Sequence, residues 1–166
     1  MSSSYFSQIG VDIDGESAGD YSGFSVSLSS DGSIVAIGTL EMMAGGKGYV
    51  RIYQNISGTW TQIGDDIDGE SGPDFSGYSV SLSSDGSVVA IGAYGNDGNG
   101  INSGHVRIYQ NVSGSWIKVG DDIDGEAAID YSGYSVSLSS DGSVVAIGAY
   151  QNDDNGTSSG HVRIYQ

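Results

Sequence analysis

The chain has 166 residues, which is enough for one domain and too few for a multidomain assembly. The chain has 28 glycines and a single proline, and only 16% of its residues are charged, a composition that does not fit a helical protein. Asp and Glu number 21 against 5 Lys and Arg, so the net charge of -16 disfavours nucleic acid and an anionic membrane as partners and favours a cation.

The first predicted element is a strand over residues 5–11, which aligns with residues 60–65 farther along the chain. This match belongs to an internal repeat, since residues 76–94 are identical to residues 132–150. Three copies of one unit, each about 55 residues long, make up the sequence. Their leading glycines are Gly10, Gly64 and Gly120.

Each copy contains four predicted strands, bounded by Gly, Asn, Asp and Ser. In the second copy, Tyr78, Val80 and Leu82 alternate with serines, which indicates a strand with one apolar face. After a tight Ser-Asp-Gly-Ser turn comes a nearly continuous apolar run, which is typical of a strand covered on both faces. The four strands of this copy are predicted over residues 77–83, 88–93 and 105–110 and from Trp116 onward.

The third copy closes the sequence with its third strand, residues 161–166. Four antiparallel strands per repeat describe a blade, and blades around an axis make a β-propeller, in which radial packing buries both faces of each blade. We therefore predict an all-β propeller with three four-stranded antiparallel blades in one unit, residues 1–166. The repeats run approximately over residues 5–59, 60–115 and 116–166, and a β-sandwich or a β-solenoid is the competing interpretation.

The residues of the repeat resemble a known family. Residues 76–82 read Ser-Gly-Tyr-Ser-Val-Ser-Leu, residues 89–93 read Val-Ala-Ile-Gly-Ala, and residues 104–109 read Gly-His-Val-Arg-Ile-Tyr. This order is similar to the FG-GAP repeat of integrin-α-type propellers, and all three copies carry it. The resemblance implies a propeller of extracellular or cell-surface origin, and we expect a soluble chain without membrane insertion.

The sequence departs from that family in two places. The Gly-Ala-Pro signature reads Gly-Ala-Tyr at residues 92–94 and 148–150, and Gly-Thr-Leu at residues 38–40. The calcium loop of the family lies between the first two strands of a blade and is rich in aspartate, whereas here residues 84–87 form only a short Ser-Asp-Gly-Ser turn. We therefore do not expect calcium at that turn.

Three blades are too few for a ring, because propellers typically have four to eight. An open arc would expose two blade faces and unpaired strand edges, which favours association. We predict that two chains close a six-bladed, twofold-symmetric ring, with a homotrimer as the alternative. The N-terminal strand of each chain then completes the third blade of its partner. The residues predicted to make this contact are Phe6, Ile9, Val11, Val162 and Ile164.

Most carboxylates are predicted on one face of the propeller, where the loops that follow the second and fourth strands emerge. Residues 65–70 and 96–100 concentrate Asp, Asn and Gly there, and both segments recur in the third copy. Such oxygen ligands suit Ca²⁺, although the same residues also build solvated tight turns, and both interpretations stay open. No cofactor is required for the fold. The predicted calcium ligands are Asp66, Asp68, Asp97, Asp122, Asp124 and Asp153.

Other conspicuous residues are predicted to be structural. His105 and His161 occupy equivalent positions where the first copy has Tyr49, which is not typical of a catalytic histidine. The arginines that recur in the same strand are predicted to pair with blade carboxylates, and they are Arg51, Arg107 and Arg163. One apolar loop of the first copy either contacts a partner or packs on itself, and its residues are Leu40, Met42 and Met43.

No unrepeated combination of acid, base and nucleophile stands out, so we expect no enzyme. The sequence favours a noncatalytic scaffold or binding module, a natural fragment or an engineered repeat, that assembles with itself into a closed ring. The alternative is a calcium-dependent, lectin-like or adhesive module that binds a glycan or a protein through its acidic face.

Overall fold

The computed structural model describes residues 6–42 and 45–166, and this part of the chain contains twelve strands and no helix. All strand pairs are antiparallel. The first sheet contains β1 (Ser25–Leu28), β2 (Ile34–Thr39), β3 (Tyr49–Ile56), β4 (Thr59–Gln62) and β5 (Ile67–Asp68). The second contains β6 (Ser79–Leu82), β7 (Val88–Ala93), β8 (His105–Val112) and β9 (Ser115–Asp124). The third contains β10 (Ser132–Leu138), β11 (Val145–Ala149) and β12 (His161–Tyr165).

These three sheets are the first, second and third blades of the chain. Within each sheet the strands follow one another in sequence order, and only β5 leaves this path, because it pairs with β3 beside β4. The all-β fold and the repeated antiparallel sheets agree with the sequence prediction.

The outer strand of a blade is longer than the sequence predicted. Residues 121–124 were expected in a loop, yet they form the end of β9, where Ile123 pairs with Val106. In the first blade the corresponding stretch is β5, where Ile67 pairs with Val50 and is buried. The apolar residue between two aspartates is therefore a period-two strand signal that the density of acidic residues concealed.

Neighbouring blades pack face to face through apolar side chains. Each buried Val, Ile or Leu of this kind stabilises the fold by about 1.5–3 kcal/mol. Between the first and second blades the buried residues are Ala36, Val50, Ile52 and Ile67 against Leu82, Val89 and Ile91. Between the second and third blades they are Ala90 and Val106 against Val145 and Ile147.

The serines of the first strand in a blade face the next blade and bond to it. Ser25 Oγ donates to the carbonyl oxygen of Gly77, and Ser79 Oγ donates to that of Gly133, both at 2.7 Å. Gly92 lies at the same contact, and a Cβ atom there would come closer than 3.0 Å to the Gly133 carbonyl oxygen. A second contact repeats in the opposite direction, from Leu82 N to Ser27 Oγ at 3.0 Å and from Leu138 N to Ser81 Oγ at 2.9 Å.

An aromatic row runs along the first strands of the three blades. The ring centroids of Phe24 and Tyr78 are 4.9 Å apart, and those of Tyr78 and Tyr134 are 4.7 Å apart. Tyr94 and Tyr150 each pack against this row. Because the row crosses both blade boundaries, it helps to fix the angle between successive blades.

Two parts of the predicted blade pattern are incomplete among the described residues. β12 pairs only with β11, so the third blade has three strands. Residues 6–11 were predicted as a strand, but they form none. The reason is that a strand exists only through its ladder of hydrogen bonds, and within the part of the chain that the structure describes no neighbouring edge supplies that ladder.

Candidate functional site

The acidic stretch that follows the outer strand is held by an arginine of the same blade. Arg51 donates to both carboxylate oxygens of Asp66, from Nε at 2.8 Å and from Nη2 at 2.7 Å. Gln62 Nε2 donates to Asp66 Oδ1 at 2.8 Å. The hydrogen bonds from Arg51 lower the pKa of Asp66, against the effect of partial burial, and they raise the pKa of Arg51. The expected pairing of this arginine with a carboxylate is confirmed.

Replacing Arg51 by glutamine is expected to raise the pKa of Asp66 and to lower the free energy of unfolding at pH 7 by about 1–3 kcal/mol. Because the folded-state pKa of Asp66 is depressed, its stabilisation is present above the unfolded-state pKa near ~3.9 and is lost as pH falls through the folded value. The variant should therefore lose less stability than the parent between pH 5 and pH 2.

The measurement is urea unfolding across that pH range, with carboxyl NMR to follow Asp66. Lys47→Gln is the matched control, since Lys47 Nζ lies 3.8 Å from Asp68 Oδ2 in an exposed pair and should contribute about 0–1 kcal/mol. Equal losses for the two variants would contradict the assignment.

The aspartates of the loop between the second and third strands organise that loop. Asp97 Oδ1 accepts the N–H of Asn102 at 2.7 Å, and Asp153 Oδ1 accepts that of Ser158 at 2.6 Å. These bonds are typical of tight turns in which aspartate replaces a backbone acceptor.

The predicted calcium ligands divide among different environments. Asp66 faces Arg51, Asp68 faces Lys47 and Asp122 contacts Lys118. Asp97 and Asp153 instead accept backbone N–H groups of their own loops. Of the six, only Asp122 belongs to a group of three or more potential ligands among residues 6–42 and 45–166. Calcium binding by these residues stays a prediction.

The short turn between the first two strands of each blade is closed by its own aspartate. Asp31 Oδ1 accepts the N–H and the hydroxyl of Ser33 and the hydroxyl of Ser29, at 2.7–2.9 Å. These hydrogen bonds lower the pKa of Asp31 to about 2. Asp85 and Asp141 repeat the arrangement, so hydrogen bonds within each turn hold its shape.

Two groups that combine histidine with carboxylates were not predicted as sites. Sequence reasoning missed them because the three residues of each group lie in different elements of the fold. The histidine is in a strand, one acid is in a linker, and the other acid is in the outer strand or in a loop. In the second blade His105 is 1% exposed, and burial together with Arg107 lowers its pKa, which keeps the imidazole neutral. The groups are Glu70 with His105 and Asp122, and Glu126 with Asp154 and His161.

The apolar loop of the first copy lies only partly on the surface. Leu40 is 3% exposed and therefore packs inside the protein, so it is not available to a partner as the first interpretation required. Met42 is exposed, and Met43 lies outside the described residues.

The outward face of the third blade is an open apolar surface. Val162 is 66% exposed and Ile164 is 70% exposed, whereas Val106, the counterpart of Val162 in the second blade, is 0% exposed because the third blade covers it. A groove of about 400 Å³ lies beside Val162. Its lining includes Tyr134, Ser135, Gly148, Tyr150 and His161.

The outward face of the first blade carries the residues that fill such a groove elsewhere. Gly23, Gly77 and Gly133 share the left-handed backbone, with φ of 85°, 86° and 82°. Gly77 and Gly133 press against the preceding blade, and a Cβ on either would clash there, while a Cβ on Gly23 would meet nothing within 4 Å. Val26 and Leu28 of the same face are exposed. The first blade thus exposes the surface with which the second and third blades each contact the blade before them.

Residues 8–16 make the side-chain contacts of an outer strand and its linker, although they form no ladder. Gln8 Nε2 donates to Asp12 Oδ1 at 2.8 Å, as Gln62 does to Asp66. Trp60 Nε1 donates to the carbonyl oxygen of Ile9 at 2.9 Å, the contact that Trp116 makes with Ile63. Arg51 also bonds Glu16, as Arg107 pairs with Glu70 and Arg163 with Glu126.

Phe6, Ile9 and Val11 of this N-terminal segment are exposed. A second groove, of about 330 Å³, lies between the second and third blades beside Val119 and Gly120. At the corresponding place between the first two blades, Trp116 packs near Gly64. Phe6 aligns with Trp116, so its side chain is of the kind that this groove lacks.

Comparison with protein families finds a match to the FG-GAP repeat over residues 66–109 and 123–165, just over half of the chain. Comparison with curated proteins finds no match. Across residues 6–42 and 45–166, no helix is long and apolar enough to cross a membrane.

Proposed function

The chain belongs to the FG-GAP repeat family, and on that premise we propose that it is a noncatalytic propeller scaffold that closes a ring with a second copy of itself. In this ring the first blade of each copy packs against the third blade of the other. Six blades fall inside the usual range of four to eight, and twofold symmetry is the commonest arrangement of homo-oligomers.

The complementarity of the two open ends carries this proposal. Within the chain, the left-handed glycine of each following blade enters a groove of the blade before it, as Gly133 does beside Val106. The groove beside Val162 corresponds to the one beside Val106, but no glycine of a following blade occupies it. Gly23 corresponds to Gly133, but no preceding blade lies against it. Placing a second copy in the repeat relation therefore fills both.

The hydrogen bonds between blades are divided in the same way. Ser135 is the counterpart of Ser25 and Ser79, and in the ring its hydroxyl donates to the Gly23 carbonyl oxygen of the second copy. Leu28 N then donates to Ser137 Oγ of the second copy, as Leu82 N does to Ser27 Oγ.

The N-terminal segment completes the third blade of the second copy. Its Trp60 and Arg51 contacts hold it where the outer strand of a preceding blade belongs. From there its free edge meets the unpaired edge of β12, and Phe6 enters the groove beside Gly120. At about 0.5–1.5 kcal/mol per hydrogen bond, the added strand contributes a few kcal/mol at each junction, and burial of the blade faces contributes more.

Light scattering of the purified 166-residue chain is expected to give twice the chain mass of 17.1 kDa. A mass of three chains would select the nine-bladed alternative and would keep head-to-tail closure. A chain without residues 1–10 should not form the ring, because the edge of β12 then stays open. A folded full-length monomer across the accessible concentrations would overturn the proposal.

A further inference from the structure

The carboxylates around His161 form a group with the chemistry of a metal site. His161 Nδ1 lies 3.6 Å from Glu126 Oε2 and 3.8 Å from Asp154 Oδ2, and the three ligand atoms lie within 4.8 Å of one another. Nε2 of the same imidazole is buried and has no hydrogen-bond partner among the described residues. Nδ1 is therefore the nitrogen that faces the carboxylates.

The matching group of the second blade shows which ligand the third blade lacks. There the outer strand brings Asp122 Oδ2 to 3.9 Å from His105 Nδ1, and Lys118 Nζ contacts the other oxygen of Asp122. The lysine places a positive charge beside this group. Among residues 6–42 and 45–166 the third blade has no outer strand, so no counterpart of Asp122 or Lys118 from that part of the chain stands beside His161.

In the proposed ring the second copy supplies that strand. The residue that aligns with Asp122 is Asp12, and the residue that aligns with Lys118 is Gln8. Gln8 Nε2 already bonds Asp12 Oδ1, as Gln62 bonds Asp66. In the first blade, which has Tyr49 at the histidine position, the other oxygen of Asp66 bonds Arg51. The third blade has His161 at that position, as the second blade has His105, so Asp12 Oδ2 is placed to face His161 as Asp122 Oδ2 faces His105. The charge of the lysine is lost at this junction, because glutamine is neutral.

Further carboxylates gather at the same junction. Asp154 stands where the second blade has Gly98, and a Cβ atom added at Gly98 would lie 3.1 Å from Asp124 Oδ1. Asp14 of the second copy aligns with Asp124 and therefore approaches Asp154 in the ring. A side-chain cation that contacts this group is Arg163, whose Nη1 lies 3.5 Å from the other carboxylate oxygen of Glu126. One arginine does not neutralise four carboxylates, and like charges at short range repel.

We propose that each junction between copies binds one divalent transition-metal ion of the zinc class. The ligands are His161 Nδ1, one oxygen each of Glu126 and Asp154, and one oxygen of Asp12 from the second copy. One imidazole and three carboxylates give four donors. This set suits Zn²⁺ or Co²⁺ better than it suits Ca²⁺, which prefers a larger shell of oxygen ligands only. The site rests on the proposed ring, since its fourth ligand comes from the second copy, and the ion stabilises the ring by linkage.

The test is titration of the full-length protein with Co²⁺, read by its visible absorption and by calorimetry, with light scattering on the same samples. About one Co²⁺ per chain is expected. The dissociation constant of the dimer should be about tenfold or more lower in excess Zn²⁺ than in chelator. Ca²⁺ at equal ionic strength should produce neither effect.

Three substitutions locate the site. His161→Gln should abolish the Co²⁺ absorption, and Asp12→Asn should weaken binding about tenfold or more, because it removes a ligand. His105→Gln is the matched control, since the same histidine of the second blade lies beside Lys118, and it should leave Co²⁺ binding unchanged.

The results separate the site from the ring. A dimer that binds no Co²⁺ overturns the metal site and leaves the proposed function standing. A monomer in every condition overturns both. Loss of binding in His105→Gln, or full binding in Asp12→Asn, overturns the site as a junction between copies.

Discussion

Val162→Asp is expected to convert the dimer into a folded monomer. Val162 is exposed in the single chain, so the change costs little there, but in the ring it is covered as Val106 is covered by the third blade. Burying an unpaired carboxylate costs several kcal/mol, and a cost of about 4 kcal/mol raises a dissociation constant about a thousandfold. In a twofold ring the substitution acts at both junctions.

Sedimentation or light scattering measures the loss of the dimer, and circular dichroism checks that the β fold persists. Val112→Asp is the matched control. Val112 is exposed in the second blade, which has a neighbour on each side, so its exposure does not depend on assembly. A Val162→Asp protein that remains dimeric would show that the face of the third blade is not the interface.

Gly92→Ala is expected to lower the free energy of unfolding by about 2–4 kcal/mol, through steric strain and the loss of one hydrogen bond between blades. The methyl group would strike the Gly133 carbonyl oxygen, which also accepts the hydroxyl of Ser79. Backbone atoms of two packed blades cannot move apart without opening the apolar contact beside them.

The measurement is urea unfolding in the Val162→Asp background, so that assembly does not contribute to stability. Gly148→Ala is the control in that background. Gly148 holds the same position in the third blade, and its Cβ would meet the Ser135 side chain but no backbone atom of another blade among the described residues. Equal destabilisation by the two alanines would contradict the role of the blade contact.

The sequence predicted the strands that pack in the interior, because their spacing reflects contacts within one repeat. Val80 and Leu82 alternate with serine because one face of β6 is apolar and the other bonds to the next blade. The described residues 6–11 form no strand in the single chain, because alternation does not supply a pairing edge, and their pairing with a second copy stays a prediction.

The sites were harder to predict, because neighbours in sequence are separated by the fold. Asp66 and Asp68 are two residues apart, yet Asp66 faces Arg51 and Asp68 faces Lys47, because Asp66 lies between β4 and β5 and only Asp68 belongs to β5. The histidine groups depend on strand register instead. In the second blade, His105 pairs with Asp124 across β8 and β9, which places Asp122 nearby only because β9 runs past Gly120. Composition alone carries no signal of that register.

The conformation that residues 8–16 hold in the single chain has a kinetic consequence. Because Trp60 and Arg51 already fix the segment, two copies meet as rigid surfaces, for which association rate constants of about 10⁵–10⁷ M⁻¹ s⁻¹ are usual. Once one junction forms, the second is an intramolecular step at an effective concentration of roughly millimolar. Below that protein concentration, cyclisation outpaces the addition of a third chain, so linear polymers do not accumulate.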